Sequence, residues 1–333
     1  MKRALHAAAA VACIGLAACG SSTKGGGGAA VAAGEAPTSV TIGMTELFPT
    51  GYFADFERGL KEEASARGVE LDLIAQEVGN DAGRESQAFQ TFATRRVDAI
   101  LATAVSPTGS VAAFKQAAAS GIPVVCYNTC LAPEDAREHA RSFVSSDSVE
   151  LGRLTGEQIA RHVREELGGS AKAVLLTCET YDVCKDRRRG LDEALAGTGV
   201  EIVAEQEGFV VDRATPVAKA MLAAHPDADL FIAENEDANV AAVTAVKSRG
   251  LQDDVAVFGI GIDPKIAALV ASPDGILRFT TGQDPYNQGK IALGNVLDVL
   301  AGRSVEPFVQ HSPSPTFSHE EPQKARAYID GER

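Results

Sequence analysis

The sequence contains no tryptophan, only three methionines and 5% aromatic residues. Alanine and valine carry its apolar content, a balance that suits an α/β globule. Basic charge is scarce as well, with 31 Lys and Arg against 45 Asp and Glu, for a formal net charge of −14. A nucleic-acid ligand is excluded on that ground, because phosphate neutralisation needs a basic face. After Cys19 no apolar run is long enough to cross a bilayer, which takes about 20 residues. His139, His162, His225, His311 and His319 are scattered without metal-ligand spacing, and no nucleophile elbow or phosphate loop occurs. An enzyme, a resident metal and a cofactor are therefore not expected.

The first residues carry an address. Lys2 and Arg3 precede an apolar run from Ala4 to Ala18, the pattern of a secretory signal rather than a membrane span. The run ends in Leu16-Ala17-Ala18-Cys19-Gly20, which looks like a bacterial lipobox. Residues 1–18 are then a signal peptide, and Cys19 is the lipidated residue. Several acyl chains on one residue hold a protein stably at a membrane, where a single chain is marginal. From Ser21 to Gly34 the chain is Gly, Ala, Ser and Thr with one Lys, one Val and almost nothing to bury. That composition makes residues 19–37 a flexible tether. The expected location is the extracytoplasmic side of the cell membrane.

About 295 residues follow, enough for two lobes. Of the six cysteines, Cys13 lies in the signal and Cys19 in the lipobox, leaving Cys126, Cys130, Cys178 and Cys184. An even number in an exported chain favours disulfides, and four cysteines allow three connectivities. Local pairs, Cys126 with Cys130 and Cys178 with Cys184, would each brace one loop at a strand end. Cross-pairing would staple two lobes together and suit a moving hinge badly. A metal held by the four thiols stays open as the alternative.

From residue 39 the pattern alternates between strands and helices. Ser39–Met44, Leu71–Ala75, Asp98–Thr103 and Ile122–Tyr127 read as strands, with helices carrying Phe53, Phe56 and Leu60, then Phe89 and Phe92, then Val111–Ala119 between them. The strand runs are continuous rather than alternating, as in parallel sheets covered on both faces. After a polar stretch at 142–148 and a helix over 149–167, a second series of strands begins near 173, 201, 230, 255 and 278. A helix over 286–300 closes it, with Leu293, Val296, Leu297 and Leu300 on one face. Two such halves make either two doubly wound lobes or one eight-stranded barrel; periodicity does not separate them.

Ligands of open parallel sheets bind beyond the carboxyl ends of the strands. Those ends here combine short polar side chains with Phe48, Tyr52, Phe53, Tyr127 and Tyr181. Aromatic faces with amides and carboxylates at the rim suit a polyhydroxylated ligand.

Over residues 39 to 310 the chain resembles the ribose-binding group of type I periplasmic binding proteins. The resemblance rests on Pro49-Thr50-Gly51-Tyr52-Phe53, Gly59-Leu60-Lys61-Glu62-Glu63-Ala64, Ser106-Pro107-Thr108 and Gly121-Ile122-Pro123-Val124-Val125. Ser145-Ser146-Asp147, Arg187 before Arg189-Gly190-Leu191, Ala233-Glu234-Asn235-Glu236-Asp237 and Gly282-Gln283-Asp284-Pro285 complete it. It implies a solute-binding lipoprotein of an ABC importer with two Rossmann-like lobes joined by a multi-strand hinge. The lobes would span 38–145 plus 284–308 and 146–283 plus 309–333, and close on a sugar or polyol by hinge motion. The implied partners are that ligand and an ABC permease; the implied state is a monomer. Tyr52 and Phe53 correspond to an aromatic clamp, Thr50, Ser106 and Asn128 to hydroxyl contacts beside it, and Arg187, Asn235 and Gln283 to polar contacts from the second lobe. The chain departs from the group at Asn128-Thr129, where an Asp-Arg pair is usual, and at Ile260-Gly261-Ile262-Asp263, where Asp follows the strand directly. Asp263 either takes over that contact or caps the following helix. Glu46, Glu179 and Glu236 bring carboxylates near the cleft, leaving a sugar, a polyol or a positively charged ligand open. A receptor of the same fold feeding a chemoreceptor or sensor kinase is the rival reading.

Overall fold

The apolar runs Ala99–Ala102, Val124–Tyr127 and Leu230–Ala233 are buried along their whole length, as central strands covered on both faces must be. The computed structural model describes residues 34–48, 51–179, 182–208 and 210–331. Its first half runs β1 (Ser39–Glu46), α1 (Gly51–Arg67), β2 (Glu70–Glu77), α2 (Ala82–Arg95), β3 (Ala99–Ala102) and α3 (Val111–Ala119). It continues through β4 (Val124–Tyr127), α4 (Pro133–His139) and β5 (Phe143–Ser146). The second half runs α5 (Ser148–Glu166), β6 (Ala171–Thr177), α6 (Asp182–Leu195), β7 (Val200–Glu207), α7 (Val211–Ala224), β8 (Leu230–Ala233) and α8 (Glu236–Arg249). It ends with β9 (Ala256–Ile260), α9 (Pro264–Val270), β10 (Leu277–Thr281), α10 (Pro285–Leu300), β11 (Val309–Ser312), β12 (Thr316–Ser318) and α11 (Pro322–Ile329).

These strands form two six-stranded sheets, ordered β11-β5-β4-β3-β1-β2 and β12-β10-β9-β8-β6-β7. All pairings are parallel except that of β12 with β10. The barrel alternative is thereby overturned: each helical crossover returns its strand to an open, doubly wound sheet, and the two sheets share no strand. The chain passes between the sheets after β5, after β10 and after β11. This last crossing corrects the expected boundary. Residues 309–312 pair in parallel with β5 in the first sheet, because Phe143 and Val144 offer an open edge that Val309 and Gln310 complete. The cysteine sulfurs lie at disulfide distance in local pairs, Cys126 with Cys130 at 2.02 Å and Cys178 with Cys184 at 2.06 Å.

Two helix contacts, one per lobe, bring backbone against backbone. A Cβ at Gly59 of α1 would lie 1.9 Å from the Tyr286 carbonyl oxygen, and one at Gly289 of α10 would lie 2.2 Å from that of Phe56. In the other lobe, a Cβ at Gly152 of α5 would lie 1.8 Å from the Arg187 carbonyl oxygen, and one at Gly190 of α6 would lie 1.9 Å from that of Val149. The glycines are reciprocal in both places, so each helix pair sits closer than any side chain would allow. Gly152→Ala is therefore expected to lower stability by about 1–3 kcal/mol in a urea titration, as overpacking does. Gly294→Ala on α10 is the contrast. Its new methyl meets only Arg67 Nη2 at 3.4 Å and Cζ at 3.9 Å, so improved helix propensity should raise the midpoint.

Candidate functional site

The carboxyl ends of both sheets face the same cleft. The lobes meet across it: a Cβ at Gly51, the first residue of α1, would lie 3.7 Å from Asp263 Cβ at the start of α9. Tyr328 of α11 also donates to Asp55 Oδ2 of α1 at 3.4 Å.

On the second-lobe side the site is built around Arg187. The close packing of α6 on α5 turns Arg187 inward, where it is only 5% exposed, while Arg188 takes surface pairs with Glu179, Asp192 and Glu205. Arg187 Nη1 donates to the backbone oxygen of Glu234 at 2.7 Å, but its Nε is buried with no partner among the described residues. Burial pushes the guanidinium below its ordinary pKa, opposed by Glu236, Glu234 and Tyr52. The neighbouring Asn235 caps α8, its Oδ1 accepting from the Ala238 amide at 2.8 Å. Its Nδ2 is buried and equally without a partner. Two buried donors beside the end of β8 thus lack acceptors among the described residues, an arrangement that costs free energy unless something fills it.

Glu234 lies beneath them, fully buried; its Oε2 accepts from Thr177 Oγ1 at 2.9 Å and from the Cys178 amide at 3.0 Å. Burial pushes its carboxyl up to about 7 despite these bonds and Arg187. Glu236 is raised too, mainly by burial, with Arg187 opposing and Asp263 adding to the rise. Its side chain lies over Gly261, whose backbone has φ 102°, so that a Cβ there would come 2.4 Å from the Glu236 carboxyl carbon.

On the first-lobe side Tyr52 stands at the start of α1, edge-on to Phe53 at 5.2 Å between centroids. Its phenol donates to Gln288 Oε1. Burial holds that phenol far above its ordinary pKa, and its charge environment includes Arg187 and Glu236 of the opposite lobe. Gln288 is fully buried where the chain crosses between sheets. Its Nε2 lies 2.8 Å from Ser146 Oγ, 2.6 Å from the Gln283 backbone oxygen and 3.0 Å from Ser312 Oγ.

The other expected residues divide. Gln283 is half-buried and follows β10, with its backbone oxygen at the crossings. Asp263 caps α9, one carboxylate oxygen accepting from the Ile266 amide at 2.7 Å. Asn128 sits in a left-handed conformation, φ 61°, inside the loop that Cys126 and Cys130 close. Ser106 is drawn into its own turn, accepting from the Gly109 amide at 3.0 Å. Phe53 is buried in the first-lobe core. Glu46 has its carboxyl raised by burial and then by Glu57 and Glu77, with Lys61 lowering it, so its electrostatic company differs from that of Arg187. Tyr127 departs from its place among the cleft aromatics. It is unexposed, stacked on Phe56 at 3.9 Å, and donates to the Thr45 carbonyl at 2.5 Å, because its strand lies in mid-sheet. Thr50, Tyr181 and Cys19 lie outside the described residues.

Sequence reasoning passed over Gln288 and Ser312, and it quoted Ser146 and Glu234 only as members of motifs, with no role of their own. One signal was present: Gln288 stands four residues before Ala292 and eight before Val296, on the buried stripe of α10.

Glu234 has a consequence for stability. Its folded pKa is near 7 against an ordinary 4.5, so the folded state holds the proton more tightly. That stabilisation is present at low pH and is lost as pH rises from about 4.5 through 7, up to about 3 kcal/mol. Urea midpoints at pH 5 and pH 8 should show the drop in the wild type and a smaller one in Glu234→Gln.

The profile of the periplasmic binding protein domain family matches residues 44–304. The ABC transporter periplasmic-binding protein YphF of Escherichia coli K12 is 33% identical over 275 residues, covering 82% of this chain and 84% of that protein. The ribose import binding protein RbsB of Bacillus subtilis is 28% identical, covering 80% of this chain and 83% of its own. Among solved structures, an ABC transporter periplasmic solute binding protein from Actinobacillus succinogenes with bound D-allose superposes with a TM-score of 0.78 at 23% identity, covering 86% of this chain and 99% of the other. A solute binding protein from Bacillus halodurans with bound myo-inositol gives 0.74 at 24% identity, covering 89% and 99%. With the family profile matching well over half of its length, and with two doubly wound lobes around one cleft, the chain belongs to the periplasmic binding protein domain family.

Proposed function

We propose that this protein is the extracytoplasmic solute-binding component of an ABC importer and captures a sugar or sugar-like polyol between its lobes. The observation that carries the reading is the pair of buried donors in the second lobe, Arg187 Nε and Asn235 Nδ2, that have no partner among the described residues. Hydroxyl oxygens of a polyol are acceptors of the right kind for both, and Tyr52 supplies an aromatic face opposite. Named relatives that import ribose, and fold neighbours holding D-allose and myo-inositol, support the ligand class. The function is binding rather than catalysis: Arg187, Asn235 and Gln283 hold the ligand, with Asp263 and Glu236 at the rim. Tyr52 closes over it, backed by the buried Phe53, with Thr50, Ser106, Asn128 and Glu46 on the first-lobe side. Closing the hinge excludes water and strengthens each polar contact. Cys19 anchors the monomer by acyl chains on the extracytoplasmic face, and the two disulfides brace the loop carrying Asn128 and the start of α6, the helix that carries Arg187.

Thermal unfolding of the oxidised protein against pentoses, hexoses, polyols, amino acids and cationic metabolites tests the reading. A bound member at a hundredfold excess over Kd stabilises by about 2.7 kcal/mol and raises Tm. Arg187→Ala should weaken that binding about ten- to hundredfold, the loss of a charge-assisted contact. A panel in which only amino acids shift Tm would sink the sugar reading. Thiol titration of the processed protein is expected to find none of Cys126, Cys130, Cys178 and Cys184 free until reductant is added. Labelled palmitate should enter the wild type and not Cys19→Ala.

A further inference from the structure

The hydrogen bonds at the crossings have a fixed direction, and one carbonyl fixes it. The Gln283 backbone oxygen can only accept. Ser146 Oγ donates to it at 2.6 Å and Ser312 Oγ donates at 2.9 Å. Each hydroxyl has a single hydrogen, and both are spent on that oxygen. Toward Gln288, then, Ser146, Ser312 and Gln283 all present lone pairs. The side-chain amide of Gln288 turns its NH2, with two hydrogens, toward these three oxygens at 2.8, 3.0 and 2.6 Å, and the flipped orientation would set Oε1 2.6 Å from the Gln283 carbonyl oxygen, which has no hydrogen to give. Gln288 Oε1 is left facing Tyr52, whose single hydrogen must go to it.

We infer that Gln288 is a positioning residue that commits the Tyr52 hydroxyl hydrogen to the hinge, so that the phenol oxygen enters the cleft as an acceptor only. The ligand group that meets Tyr52 is then a donor, a hydroxyl or an N–H, and an ether or carbonyl oxygen there would face lone pairs. The same side chain ties Tyr52 to all three crossings, because Ser146, Gln283 and Ser312 belong one to each. Gln288 is 0% exposed, so its amide has no solvent to replace a lost partner. The ligand part of this inference rests on the sugar-binding reading above; the direction of the hydrogen bond does not.

Ultraviolet resonance Raman spectroscopy of the tyrosine Fermi doublet reports whether a phenol donates or accepts. The wild-type spectrum minus that of Tyr52→Phe isolates Tyr52 without any ligand. The expected doublet has the strong-donor pattern and loses it in Gln288→Met, which keeps the side chain's length and removes its acceptor. An acceptor pattern for Tyr52, or a doublet unchanged by Gln288→Met, overturns the inference. If Gln288→Met does not fold, the Tyr52→Phe difference spectrum alone decides. Titration with D-allose and its monodeoxyfluoro analogues follows, since fluorine cannot donate. One analogue should bind about tenfold more weakly than D-allose to the wild type, with that gap closed in Tyr52→Phe and narrowed in Gln288→Met. A gap of the same size in all three proteins counts against the inference. Failure of every sugar to bind would remove the sugar reading and leave the Raman result to judge Gln288.

Discussion

Everything in the cleft depends on two places where helix backbones touch. Reciprocal glycines, Gly59 with Gly289 and Gly152 with Gly190, let α1 meet α10 and α5 meet α6 at distances no methyl group would permit. Each contact holds a helix that carries a site residue: α1 brings Tyr52 and α6 brings Arg187. Packed interiors resist change of even one methylene, so the positions of these side chains are inherited from rigid scaffold rather than chosen by loops. Gln288 stands one residue before Gly289, which places the polar knot of the hinge on the best-located turn of α10.

The cleft is polar in a particular way. At its core, buried groups are either fully committed or conspicuously short of a partner. Gln288 uses both ends of its amide, and Asn235 uses its oxygen to cap α8 while leaving its nitrogen unmatched. Arg187 is pinned at Nη1 and open at Nε. A site of this kind is preorganised. Its donors are desolvated before a ligand arrives, so the entropy of ordering them is already spent in folding. Glu234 shows the cost of such a site, a carboxyl that burial alone drives toward neutrality.

Much of this was legible in the chain. Continuous apolar runs such as Ala99–Ala102 and Leu230–Ala233 announce parallel strands, because both their faces are covered. Arg187 could be singled out through the motif around it. The shortfalls share a cause. Tyr127 and Tyr52 are alike as residues beyond strand ends, but one is walled in by Phe56 and Thr45 and the other stands at the cleft. Ser106 and Asp263 have side chains that serve a turn or a helix end as readily as a ligand, and each makes its local hydrogen bond, so the residue type alone does not separate the two uses.

The sequence by itself determined the alternation of elements, the surplus of acid and the types of side chain near the strand ends. All of these follow from composition and short-range periodicity. Only the tertiary structure decided that two open sheets form rather than one barrel, that residues 309–312 return to the first sheet, and that Gln288, Ser146, Gln283 and Ser312 share one knot. Those outcomes depend on contacts between residues more than a hundred positions apart in places, Ser146 and Gln288 among them. Hydrogen-bond direction is set by which groups meet in space, and no periodicity along the chain records that meeting.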